Sequence, residues 1–162
     1  MSSKAPDNDA YVFLSYARED ESQVEQILFA LRQRGFPVFI DRDMVSGVEW
    51  EKVLEARLQT AYAIVVVWSS RSVRSEWVER EAAVGLEKDR LFPVLLERGV
   101  SMPPRFVHKH AADLSDWNGD PNAVQFDRVI SMLQLLWEAQ NGLLKDTKAM
   151  KPIRFKRRPA SE

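Results

Sequence analysis

The chain has 162 residues, 45% of them hydrophobic and 29% charged, which suffices for one domain with a substantial core and little more. Its formal net charge of -1 excludes the broad positive field that nucleic acid or an anionic membrane would select, so no direct nucleic-acid binding is expected. The absence of cysteine removes disulfides, thiol nucleophiles and cysteine-rich zinc sites, and no run approaches the roughly 18 apolar residues of a membrane span.

Residues 1–9 are polar and lack the apolar centre of a secretory signal, so they read as a flexible leader to a soluble, cytoplasmic domain. Tyr11 to Ser15 is a short apolar run, predicted as the first strand. Asp20 or Ser22 is placed to cap a helix running to about Arg34, with Val24, Ile27, Leu28 and Leu31 on one face and Gly35 as its stop. Phe36 to Ile40 is the second strand, and Pro37 near its start argues for a free edge. Asp41 to Val48 is a polar connector whose Gly47 supplies conformational freedom. A helix follows over Glu49 to Thr60, with Trp50, Val53, Leu54 and Leu58 at helical spacing.

Residues 62–68 form a third strand, apolar throughout and therefore buried on both faces. Ser69-Ser70-Arg71-Ser72 breaks the run, and Ser75 is placed to cap a helix over about 75–88. On that helix Trp77 and Glu81 project from the same side near the N-terminus. A fourth strand covers Leu91 to Leu96, an irregular stretch runs from Arg98 to Lys109, and a weak last strand is predicted around Ala111 to Leu114. The loop Asp116 to Pro121 leads to a final helix from Val124 to about Leu144, built on Phe126, Ile130, Leu133, Leu136 and Trp137. Beyond it, residues 145–162 are rich in lysine and arginine and fit a solvated tail, a linker, or a positive flank before a membrane segment outside this chain.

Strands alternating with helices predict an α/β fold with a mainly parallel sheet, in a flavodoxin-like, doubly wound order. Ligands gather at the carboxyl ends of such strands. Here those ends are Ser15 to Arg18, Asp41 to Asp43, and Ser69-Ser70 leading to Trp77 and Glu81. No G-x-G-x-x-G follows the first strand, and neither a P-loop nor a G-x-S-x-G elbow occurs. The acidic residues that a phosphoacceptor receiver would carry at these strand ends are serines in this chain. His108 and His110, the only histidines, lie in the irregular stretch and read as surface residues; no metal site is expected.

Phe13-Leu14-Ser15-Tyr16, Gly35 to Asp41, Met44-x-x-Gly47-x-x-Trp50, Ser75-x-Trp77-x-x-x-Glu81 and Phe92-Pro93-Val94-Leu95 occur in this order. Together they resemble a TIR (Toll/interleukin-1 receptor) domain of the bacterial type over roughly Ala10 to Leu136, within a domain taken as residues 10–144. The resemblance implies a flavodoxin-like three-layer sandwich, with a central five-stranded parallel sheet and helices on both faces. It implies a BB loop at Asp41 to Val48, in which Arg42, Met44 and Gly47 serve homotypic assembly and gating. It also implies cleavage of NAD+ at the nicotinamide–ribose bond, yielding ADP-ribose or a cyclic isomer. NAD+ is then the substrate, and no cofactor is expected. Glu81 matches the essential glutamate, Trp77 the aromatic residue a turn before it, and Arg18 a basic residue suited to the pyrophosphate. Ser15, Asp43 and Ser69 are further candidate substrate contacts, and Trp50 a residue that closes over the bound molecule. Val78 stands where plant-type sequences often carry cysteine. The implied setting is bacterial antiphage immunity, with a fused or separate sensor domain as partner. A non-catalytic TIR–TIR adaptor and a virulence-type mimic of host signalling are the alternatives.

The residue chemistry is consistent with that activity. NAD+ already carries a cationic pyridinium, so nicotinamide leaves neutral without a general acid. What remains is an oxocarbenium-like ribose, which one carboxylate can stabilise. An indole such as Trp77 adds a stacking wall worth about 1 kcal/mol.

Overall fold

Five parallel strands form the centre of the molecule, in the order β2-β1-β3-β4-β5. They are β1 (Val12–Ser15), β2 (Val38–Phe39), β3 (Ala63–Trp68), β4 (Leu91–Leu95) and β5 (Ala112–Asp113). The helices are α1 (Glu21–Gln33), α2 (Val48–Thr60), α3 (Glu76–Glu87) and α4 (Val124–Gln140). The computed structural model describes residues 10–40 and 48–141. The leader, Arg42, Asp43, Met44 and Gly47 of the connector, and the basic tail lie outside the described residues.

The sheet's two faces follow from side-chain alternation. Val12, Leu14, Ala63, Val65 and Val67 point to one face and pack with α1 and α4. Tyr11, Phe13, Ile64, Val66 and Trp68 point to the other, beneath α2 and α3. The expected flavodoxin-like layering is thus present. β1 has β2 on one side and β3 on the other, so the order of the chain reverses there. Such a switch point leaves a crevice beyond the strand ends.

Each strand is somewhat shorter than the sequence predicts, and the second, expected over Phe36 to Ile40, is shortened most at its start. β2 keeps only Val38 and Phe39 in register with β1. Phe36 instead closes α1, its N–H bonding Leu31 O while the Gly35 N–H bonds Arg32 O, with Gly35 at φ +91°. This is the glycine-terminated helix end the sequence signalled, and β2 sits at the sheet edge as Pro37 required.

α3 lies close against the sheet because Gly85 has no side chain. A Cβ there would stand 3.2 Å from the Cβ atoms of Ile64 and Leu91 and 3.3 Å from Leu91 Cα. Alanine would gain about 1 kcal/mol of helix propensity but overpack rigid strand atoms at a cost of about 1–3 kcal/mol. Gly85→Ala is therefore expected to lower the thermal midpoint; a raised midpoint would show that the strands yield.

Tyr62 carries a second expectation. It is buried against the edge of Trp137, and among the described residues its hydroxyl has no hydrogen-bond partner. Burial pushes its pKa above the ordinary tyrosine range. The unfolded chain ionises near pH 10 while the folded chain resists, so this contribution is intact below about pH 10 and is lost as pH rises further. Tyr62→Phe removes a desolvated hydroxyl. It is expected to match or exceed wild-type stability at pH 7 and to flatten the alkaline loss, as read by denaturant titration at pH 7 and pH 11.

Candidate functional site

The crevice between the ends of β1 and β3 collects the candidate residues. Ser15 ends β1 on the face of Tyr11 and Phe13, so it points toward α3. On α3 the buried positions are Val78, Glu81, Ala82 and Gly85, a single stripe at helical spacing. Glu81 thus occupies a core position with a carboxylate, only 3% exposed. Desolvating such a group is unfavourable unless hydrogen bonds replace water. One is present: the Ser15 hydroxyl donates to Glu81 Oε1 at 2.5 Å. Ser15 is itself buried and reaches the site by fixing Glu81.

Glu81 stands on the wall of a cleft of about 590 Å³ between α2 and α3. Trp77, Arg80 and Val84 line it from α3, and Glu51, Glu55 and Leu58 from α2. A second cleft, about 310 Å³, lies at the end of β1 and is lined by Tyr16, Arg18, Glu19, Trp50, Ser75 and Trp77. Trp77 borders both. Its ring stacks on Trp50, with centroids 5.5 Å apart and planes 18° from parallel. The Arg80 guanidinium sits 5.2 Å from the Trp77 ring centre. Ser75 caps α3 by accepting from the Val78 N–H at 3.1 Å. The second cleft therefore brings Arg18 and the N-terminus of α3 together with the acidic residues Glu19 and Glu21, the arginine and the helix end being the anion-favouring part of its lining.

The serine turn after β3 has a different office. Ser69 is fully buried, and its hydroxyl donates to Asp20 Oδ2 at 2.5 Å while accepting from the Arg71 and Ser72 N–H groups. The Ser72 hydroxyl donates to Val67 O and accepts from the Ser69 N–H. Arg71 pairs with Asp20 at 3.0 Å and with Glu97 at 3.6 Å. Ser69 is thereby committed to bracing the turn.

Asp20 also departs from expectation. It stands at the N-cap position of α1, yet its side chain makes no cap hydrogen bond. Its buried carboxylate ties the short 3-10 turn Arg18–Asp20 to the Ser69–Ser72 turn, because the polar groups beyond β3 would otherwise lack partners.

Of the residues expected at the site, Trp77 and Glu81 share the larger cleft, and Arg18, Trp50 and Trp77 share the smaller. His108 and His110 are exposed on the irregular stretch. Sequence reasoning missed the Asp20–Arg71–Glu97 network, for which no local signal exists. It also missed the contact of Arg80 with Trp77, which the i, i+3 spacing offered.

A doubly wound parallel sheet with a carboxylate and an indole at its switch point defines the class: an α/β domain with a strand-end ligand crevice. The family follows from comparison. The TIR domain model matches residues 12–130, so the chain belongs to the TIR domain family. Similar solved structures include the TIR domain of the Toll-related receptor TRR-2 from Hydra magnipapillata, at 20% identity and TM-score 0.58, covering 83% of this chain and 95% of that one. A TIR-STING receptor from C. gigas in complex with 2',3'-cGAMP matches at 23% identity and TM-score 0.58, over 84% of this chain and 46% of the receptor. The TIR domains of the activated Roq1 resistosome match at 19% identity and TM-score 0.54, over 75% of this chain and 98% of that one. No curated protein sequence matches significantly. Among the described residues, no helix is long and apolar enough to cross a membrane.

Proposed function

We propose that this TIR domain is an NAD+ nucleosidase whose catalytic residue is Glu81. The observation that carries the reading is a carboxylate held by Ser15 at the wall of a cleft it shares with an indole. Pure scaffolding needs no carboxylate in the cleft beside an indole. The ribose would lie against Glu81 and the nicotinamide ring against Trp77. Arg18 and the α3 N-terminus would hold the pyrophosphate in the smaller cleft.

The C1′–N1 bond breaks with its electron pair passing to the pyridinium nitrogen, which becomes neutral as nicotinamide departs. Glu81 stabilises the positive charge left on the ribose. Water then adds at C1′ and loses a proton, giving ADP-ribose; capture by a nucleophile of the same molecule gives a cyclic isomer instead. Activity is expected on homotypic TIR–TIR assembly, in an immune setting.

The test is to cluster the protein on a multivalent support, add NAD+, and follow nicotinamide by chromatography. Release that rises with clustering supports the reading. No release at any density sinks it and leaves the adaptor role.

A further inference from the structure

Trp77 is the flat surface on which a substrate ring would rest, yet its own chain already touches it twice. Trp50 stacks on it, and the Arg80 guanidinium stands 5.2 Å from its centre. Arg80 follows Trp77 by three residues on α3, so helix geometry brings the guanidinium back over the indole. Both side chains line the same 590 Å³ cleft as Glu81. Arg80 is exposed, so its contact is solvated and readily exchanged.

A guanidinium and an N-substituted pyridinium have the same attributes: both are planar, delocalised and singly positive. Each is drawn to the negative face of an indole by the same quadrupole. We infer that Arg80 is a resident competitor for the cationic ring, holding the indole face that a pyridinium must take over. Arg80 thereby sets how strongly the cleft selects a positive ring. This deepens, and rests on, the reading of the cleft as an NAD+ site.

The physics fixes the sign. A ligand binding to a form from which Arg80 has withdrawn is weakened by the fraction of time Arg80 is in place. Like charge in the same cleft weakens a cation further and leaves a neutral ring unaffected. Removing the guanidinium should therefore tighten a cationic ring, by an amount bounded by the strength of one solvated cation–π contact. A residue that merely props Trp77 in position would show the opposite sign.

The experiment uses the whole chain and two probes, N1-methylnicotinamide as the cation and nicotinamide as the neutral ring. Binding is followed by the Trp77 indole N–H resonance, assigned by its loss in Trp77→Phe. Arg80→Gln is expected to tighten the cation by about two- to five-fold and the neutral ring by less, with Arg80→Lys close to wild type. A cation affinity that is unchanged or weaker in Arg80→Gln overturns the inference, as does an equal gain for both rings. Because the readout is binding, it separates the two ideas. A cation-specific gain in a protein that never releases nicotinamide upholds the competitor and discards the cleavage reading.

Discussion

Glu81→Gln is expected to reduce nicotinamide release by about 10²- to 10³-fold, the range seen when one group that stabilises developing charge is removed from an enclosed site. The substitution isolates charge from shape. Glutamine has the volume of glutamate, and its amide oxygen can still accept the Ser15 hydrogen that Glu81 Oε1 accepts at 2.5 Å. What disappears is the negative charge that the proposed mechanism sets against the ribose. The effect should fall on kcat rather than KM, because that charge matters most when the ribose is cationic. Stability should move the other way. Glu81 is 3% exposed in a stripe otherwise made of Val78, Ala82 and Gly85, so a neutral isostere relieves desolvation. A variant that is as stable as wild type, or more so, and nearly silent would separate catalysis from folding. Release equal to wild type would remove Glu81 from the chemistry even if cleavage itself is real.

Some of this architecture is legible without coordinates because it rests on local rules. The run through Val67 and Trp68 could only be a doubly buried strand, and Gly35 could only end a helix with its positive φ. Glu81 was legible through its spacing from Trp77 and the family resemblance, whereas its place in a buried stripe with Val78, Ala82 and Gly85 appears only once α3 lies on the sheet. The residues that escaped are those whose roles depend on long-range placement. Whether Ser15 faces α3 or α1 depends on which side of the sheet each helix takes, and no window of sequence contains that choice. Trp50 and Trp77 read as separate aromatic residues until α2 and α3 lie side by side. Asp20 had the residue type and position of a helix cap, and the unfilled bonding needs of a turn some fifty residues away outweighed that local preference.

That distant turn supplies the second large effect. Arg71→Ala is expected to destabilise the domain by about 2–3 kcal/mol, a thermal shift of roughly 5–10 °C. The reason is an asymmetry in the pair. The Asp20 side chain is fully buried, whereas the Arg71 side chain is 47% exposed. Taking away the arginine strands a carboxylate that water cannot reach, with the Ser69 hydroxyl as a remaining partner. Breaking a wholly buried pair is worth about 3–5 kcal/mol, and the exposure of Arg71 reduces that value. Asp20→Asn should be milder, near 1 kcal/mol, because the amide can keep the Ser69 bond and the released arginine rehydrates. The double variant is the sharper test. With no buried charge left unpaired, Arg71→Ala combined with Asp20→Asn should be more stable than Arg71→Ala alone. Because Asp20 ends the turn that carries Arg18 to the smaller cleft, Arg71→Ala should also raise the KM for NAD+ while kcat changes little. Denaturant midpoints of the four proteins decide the energetic claim. A neutral Arg71→Ala, or a double variant worse than the sum of its parts, would mean that this network does not hold the strand ends together.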